Sequence, residues 1–201
     1  MVDWRVETLC RAQHLTDYTF SWDTDYNKVV INKDLDDKTR HDDYTSCSIY
    51  DCGTGSECGT YTETILTFIS PMKPSYRDVI DGVCDGGLHM RGYLSGQTTC
   101  GYIRYYAIVQ LVRIRESDGN ATVLGSYTTP TEYISACDEA IDRDIFYPFF
   151  IDIDNALVDE NHRFALRVRT YARRWGGIND VWLRVYHDLN TDDTFVNLKY
   201  V

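Results

Sequence analysis

Lysine is scarce in this chain, with five residues against fifteen arginines. The positive charge is therefore carried mostly by planar guanidinium groups, which pair bidentately with carboxylates and stack on rings. Proline is scarce too, at four residues in 201. No stretch approaches the roughly eighteen apolar residues that a membrane helix needs, so no membrane span is expected. Met1-Val2-Asp3-Trp4-Arg5-Val6-Glu7 is not a charged start followed by an apolar run, so no signal peptide is expected and folding in a cytoplasm is. The five histidines, His14, His41, His89, His162 and His187, stand singly. There is no nucleophile elbow, no phosphate loop and no pair of histidines on a helix, and the expectation is that the protein is not an enzyme. Gly53-Thr54-Gly55-Ser56-Glu57-Cys58 breaks the dinucleotide fingerprint at its third glycine and reads as a turn.

Aromatic residues are plentiful. They make up 13% of the chain, sixteen of them tyrosines, and hydrophobic residues reach 43%, enough for a core and too many for disorder. Tyrosine favours strands and suits surfaces that a partner partly covers. The net charge of −11 argues against general nucleic-acid binding, which needs local cations to displace phosphate counterions.

Seven cysteines, an odd number, with no visible secretory leader predict mostly reduced thiols rather than a disulfide framework. Cys47, Cys52 and Cys58 match no usual zinc spacing, and a single local disulfide across Gly53-Thr54-Gly55-Ser56 is the alternative.

The chain alternates in short β-type segments. Tyr18–Trp22 and Asn27–Ile31 read as a hairpin, residues 33–43 as a charged loop, and Ser46–Tyr50 and Tyr61–Ile69 as strands. Ser75–Cys84 could hold a short helix and Ala136–Arg143 a helical turn. Tyr102–Arg115 is a long strand that turns at Ser117-Asp118-Gly119-Asn120 into Thr122–Thr128, since Asp-Gly favours hairpin turns. Pro148 removes a ladder donor, which places Ile145–Ile153 at a sheet edge or at a bulge. In Phe164–Thr170 apolar residues alternate with Arg167 and Arg169, the period of a half-buried strand. Val181–Tyr186 repeats the pattern, and Phe195–Val201 closes the series. The expected fold is all-β: one antiparallel, jelly-roll-like β-sandwich over 1–201 with long N-terminal loops. Any subdivision falls near 85–100, between a loop-rich region at 1–90 and a jelly-roll-like core at 101–201.

Three groups of side chains invite a chemical reading. Asp152 and Asp154 alternate on a strand as a glycosidase pair might, but read more simply as a strand end before a polar turn. Asp188, Asn190 and Asp192 are spaced like the start of a calcium loop; Asp193 then stands where glycine is expected and Lys199 where the bidentate glutamate should be. No cofactor is expected, calcium at this loop being the exception that the sequence leaves open. The third group is the outward face of a hairpin expected from the last strands: Arg167, Arg169, Tyr171, Arg173, Trp175, Trp182, Arg184 and Tyr186. Arginines and aromatics on one face, with apolar partners turned inward, have the composition of an interface.

The long strand Tyr102–Arg115 with its Asp118-Gly119 turn, Phe149-Phe150-Ile151-Asp152-Ile153, and Asp159 to Val168 resemble jelly-roll structural proteins of virus particles, of the tailed-virus head-decoration or minor capsid type. The resemblance covers the C-terminal half. It implies a non-enzymatic structural subunit of a viral capsid or decoration layer, contacting itself or other subunits and carried in the virion. The alternative is a carbohydrate-binding jelly-roll module using Trp175, Trp182 or Tyr186 as stacking platforms.

Overall fold

A computed structural model describes residues 19–22, 29–32, 43–52, 59–69, 78–95, 100–115, 117–137, 139–159, 161–176, 180–187 and 194–197. Thirteen strands run through them: β1 (Thr19–Trp22), β2 (Val29–Asn32), β3 (Asp43–Cys47), β4 (Tyr50–Asp51), β5 (Thr62–Ile69), β6 (Asp78–Leu94), β7 (Gly101–Arg115), β8 (Ala121–Thr128), β9 (Glu132–Ala136), β10 (Ile141–Val158), β11 (His162–Trp175), β12 (Val181–His187) and β13 (Phe195–Asn197). No helix occurs among the described residues. The expected long N-terminal loops and the calcium candidates Asp188, Asn190 and Asp192 lie outside them.

The strands form two packed sheets, so the chain is an all-β sandwich. Sheet A has the order β2-β1-β5-β11-β7-β8, with β4 added beside β11 and β9 beside β7. Sheet B has the order β10-β6-β12-β3, with β13 beside β6. All pairings are antiparallel except β4 with β11. One buried cluster lies between the sheets. It draws Ile80, Leu88, Met90 and Leu94 from β6, Ile103, Val109 and Leu111 from β7, Phe149 and Ile151 from β10, Phe164, Leu166 and Val168 from β11, and Leu183 and Val185 from β12. Period-2 alternation puts each of these on the inner face of its strand and turns the intervening residues out.

Two helical expectations fail. Ser75–Cys84 overlaps β6, and Ala136–Arg143 is the end of β9 and the start of β10. In β6 the even positions from Ile80 to Leu94 are the inward ones, and 17 residues of pairing with β10 and β12 override weak local preference. The Pro148 argument holds: β10 is an edge strand of sheet B and carries a register shift between Ile153 and Ala156. Phe146, opposite His89 on that edge, lies across Gly87, where even a Cβ would come within 2.0 Å of its ring.

The cysteine expectation is corrected in part. Cys100 and Cys137 form a disulfide just beyond the Gly101–Ala136 rung that pairs β7 with β9, and Cys52 is disulfide-bonded as well. Cys47 and Cys84 are buried thiols. Strand register brings Cys100 and Cys137 together across 37 positions, a proximity that spacing does not reveal.

Candidate functional site

The expected arginine–aromatic hairpin face does not exist as one surface. β11 is flanked by β5 and β7, and β12 pairs with β6 and β3 in the other sheet. Arg167, Arg169, Tyr171, Arg173 and Trp175 therefore sit on the outer face of sheet A, and Trp182, Arg184 and Tyr186 on the outer face of sheet B. The physical reason lies at the crossing. Both edges of β11 are already occupied, and Gly176 leaves it with φ +99°. A side chain there would also press to 2.7 Å from the Cys100 carbonyl oxygen, so the chain passes to the other sheet instead of turning back.

The outer face of sheet A is built in cross-strand rows. Trp175 lies beside Tyr102, Arg173 beside Arg104, Tyr171 beside Tyr106, Arg169 beside Ile108 and Arg167 beside Gln110. β5 extends the rows with Glu63, Ile65 and Thr67, opposite Tyr171, Arg169 and Arg167. Tyr133 of β9 extends the Arg104 row, and Tyr50 of β4 stands beside Arg173. The rings form two clusters: Tyr106 stacks on Tyr171 at 4.8 Å and meets Tyr61 edge-on at 5.6 Å, while Tyr102 contacts Trp175 at 5.7 Å and Tyr133 at 5.0 Å. Arg173 lies 4.7 Å over Tyr61 and Arg169 5.7 Å over Tyr171, within cation–π range. Such stacking fixes long side chains that would otherwise lose rotamer freedom only on binding.

Glu63 is the one acid among the described residues of these rows. The Tyr171 hydroxyl donates to its Oε1 at 2.5 Å and Arg169 Nε donates at 2.6 Å. The Tyr171 bond, and then Arg169, hold the Glu63 carboxyl below the usual carboxylate range, against an opposing effect of burial. Arg167 has the reverse environment: burial, and then the charge of Arg169, press its guanidinium pKa down. Several large apolar or aromatic side chains are open to solvent on this face, with Ile65 and Tyr133 each 51% exposed and Tyr50 and Val123 close behind.

The outer face of sheet B is organised differently. Arg91 Nε donates to Asp142 Oδ1 at 2.8 Å, and a second guanidinium nitrogen bonds the other carboxylate oxygen. This fork holds the Asp142 carboxyl low and the Arg91 guanidinium high. His89 Nε2 shares a hydrogen bond with Asp144, and the His89 ring lies 5.2 Å from Tyr186. Trp182 stacks on Tyr93 at 5.3 Å under Arg184 at 4.0 Å. Asp152 and Asp154 are exposed on β10 beyond this cluster, with Phe150 at 64% exposure near them. The expectation that Arg184 and Tyr186 serve the same surface as Arg169 is thus replaced by two faces. Glu63, Tyr106, Tyr61, Arg104 and Tyr133 of the first face escaped sequence reasoning, because only register sets them beside β11.

Comparison with known proteins gives fold-level similarity only. No family model and no curated protein matches the chain. Among solved structures, it is similar to an alpha-amino acid ester hydrolase at 12% identity and TM-score 0.45, over 68% of this chain and 25% of that one. It is also similar to a CocE/NonD family hydrolase from Staphylococcus aureus at 7% identity and TM-score 0.40, over 80% and 37%. A further structure of a CocE/NonD family hydrolase from the same organism matches at 6% identity and TM-score 0.39, over 88% and 40%. The chain thus spans 25 to 40% of the length of those hydrolases. The role expected from the pattern, a viral capsid or decoration subunit with a carbohydrate-binding module as alternative, finds no counterpart among these matches, which are to hydrolases, and is not carried further. The reason is general: alternation and turn signals specify a sheet and not its use.

Proposed function

We propose that the outer face of sheet A is a recognition surface for an acidic polypeptide segment. The observation behind the reading is the imbalance of charge on that face. Arg167 and Arg169 stand in adjacent rows beside Tyr171, Tyr106 and Tyr61, with Glu63 the one carboxylate of these rows among the described residues, in a chain of net charge −11. Guanidinium groups bind carboxylates through paired hydrogen bonds, and tyrosines supply rigid contact area at small entropic cost. The surrounding negative charge disfavours long polyanions and favours a short acidic segment that fits within the patch.

The test is fluorescence anisotropy with a labelled peptide of alternating glutamate and leucine, beside a lysine–leucine peptide and a DNA duplex. The acidic peptide should bind, more weakly as salt rises. Binding should be lost in a variant carrying Arg169→Glu and Tyr133→Ser whose melting temperature is close to the parent's. Equal binding of the lysine–leucine peptide or of DNA, or binding indifferent to the double substitution, would overturn the reading.

A further inference from the structure

Of the eight asparagines in the chain, only Asn120 is followed two residues later by serine or threonine, in Asn120-Ala121-Thr122. With alanine between them, these residues have the form of an acceptor for an N-linked glycan. The triplet also arises by chance, so its surroundings decide its meaning.

Asn120 lies in the turn between β7 and β8, one residue before β8 begins. The Arg115 N–H donates to its carbonyl oxygen at 2.9 Å, and its own N–H donates to Asp118 Oδ1 at 3.1 Å. Gly119, at φ +68°, completes the turn. The backbone is thereby fixed, while Asn120 and Thr122 are both exposed. Neither the Asn120 side-chain amide nor the Thr122 hydroxyl has a hydrogen-bond partner among the described residues. The acceptor atom is therefore free to react.

Two observations independent of the triplet agree with it. Cys100 and Cys137 are bridged, and Cys52 is disulfide-bonded. Disulfides form and persist in oxidising compartments, which are also where asparagine glycosylation takes place. The other observation is β8 itself, the outer strand of sheet A. Edge strands are commonly guarded by lysine, by proline or by another charge. Ala121–Thr128 has no charged residue and no proline. Its middle packs closely on β10, where a Cβ at Gly125 would strike the Ile151 and Ile153 side chains. Nearer the turn Thr122 is exposed and Val123 is 44% exposed. A group on Asn120 reaches these residues first.

We propose that Asn120 carries an N-linked glycan that guards the turn end of β8. In the transfer, Asn120 Nδ2 attacks the anomeric carbon of an oligosaccharide carried on a polyprenyl diphosphate. The carbon–oxygen bond to the diphosphate breaks as the nitrogen–carbon bond forms, and the diphosphate leaves with the electron pair. One amide proton passes to a base of the transferase. Thr122 supplies the hydroxyl by which the transferase reads the acceptor. From Ile114, opposite Ala121, to Ile108, opposite Arg169, is about 20 Å along β7. The glycan therefore leaves the rows of Arg167 and Arg169 open, and the proposal stands or falls apart from the acidic-segment reading.

The full chain is purified from its natural source and digested, and the peptide carrying Asn120 is followed by mass spectrometry. It should be found as a glycopeptide, and peptide-N-glycosidase in H₂¹⁸O should convert Asn120 to an ¹⁸O-labelled aspartate. In a secretory host, behind a cleavable leader, the parent should show one mobility step that the glycosidase removes. Asn120→Gln and Thr122→Ala should each abolish that step, and Thr122→Ser should keep it. All three lie on an exposed turn and should melt close to the deglycosylated parent, which separates loss of the glycan from loss of the fold. Deglycosylation of the folded parent should raise concentration-dependent association in sedimentation velocity. Val123→Lys, which puts a charge on the same edge, should suppress it. Unmodified Asn120 in source material with an intact Cys100–Cys137 bridge would overturn the proposal. So would a mobility step that survives both Asn120→Gln and Thr122→Ala. Association unchanged by removal of the glycan would overturn its guarding role.

Discussion

The two outer faces of the sandwich are made from the same residue types and treat charge in opposite ways. On sheet B Asp142 has Arg91 and Asp144 has His89 from a neighbouring strand, while Asp152 and Asp154 stand exposed on β10. On sheet A Arg169 pairs with Glu63, and Arg169 and Arg173 also rest on tyrosine rings. Cross-strand ion pairs organise one face and ring stacking the other, so arginine and aromatic content alone does not identify a binding surface.

The comparison breaks most completely if the shared core fails. Phe164 lies beneath sheet A and packs into the cluster common to both sheets, so Phe164→Ala should cost about 3–5 kcal/mol and weaken every property of both faces in a denaturant titration. Next comes Trp182→Ala, which removes the Tyr93 stack and the ring beneath Arg184. It should lower stability by roughly 1–3 kcal/mol and leave acidic-peptide binding to sheet A unchanged, a split that unfolding and anisotropy on one sample would reveal. A double-mutant cycle on Arg91 and Asp142 should give a smaller coupling, on the order of 0.2–1 kcal/mol, because both side chains are more than a third exposed.

The smallest effect is the acid limb of stability. The folded-state pKa values of Glu63 and Asp142 are both depressed. Their contribution is therefore complete above the ordinary carboxylate range and is lost as pH falls through the depressed values. Glu63→Gln should flatten the fall of melting temperature with acid on the sheet A side, and Asp142→Asn should do the same on the sheet B side. Equal slopes in parent and variants would show that neither carboxylate is linked to folding. Thiol chemistry adds a further check between the sheets, since burial pushes the Cys47 thiol up to about 11. Cys47 should resist a disulfide reagent near neutral pH until the chain unfolds.

The β-sandwich was legible because each long strand carries its own evidence. Phe164, Leu166 and Val168 alternate with Arg163, Arg167 and Arg169, and the Asp118-Gly119 turn announces β8. The faces were less legible. Arg167 and Arg184 read alike in sequence, and only pairing decides which sheet receives each; β12 follows β11 yet joins the opposite layer. Glu63 lies 108 positions from the tyrosine whose hydroxyl it accepts, and no local pattern joins them. β6 was misread near its start because glycines and a preceding proline hide a strand whose support comes from both flanks.

The Cys100–Cys137 bridge makes a covalent ring of the polypeptide from the start of β7 to the end of β9. The tight turn at Ser117, Asp118 and Gly119 lies on that ring and is solvent-facing at Ser117 and Asp118. A single cleavage there opens the ring without parting the molecule, so the two halves migrate as one species until a reductant is added. The same position offers a place to insert a reporter peptide. Strands on either side of the insertion would still be tethered at their far ends, and the chain would need to re-find only a short-range pairing when it folds.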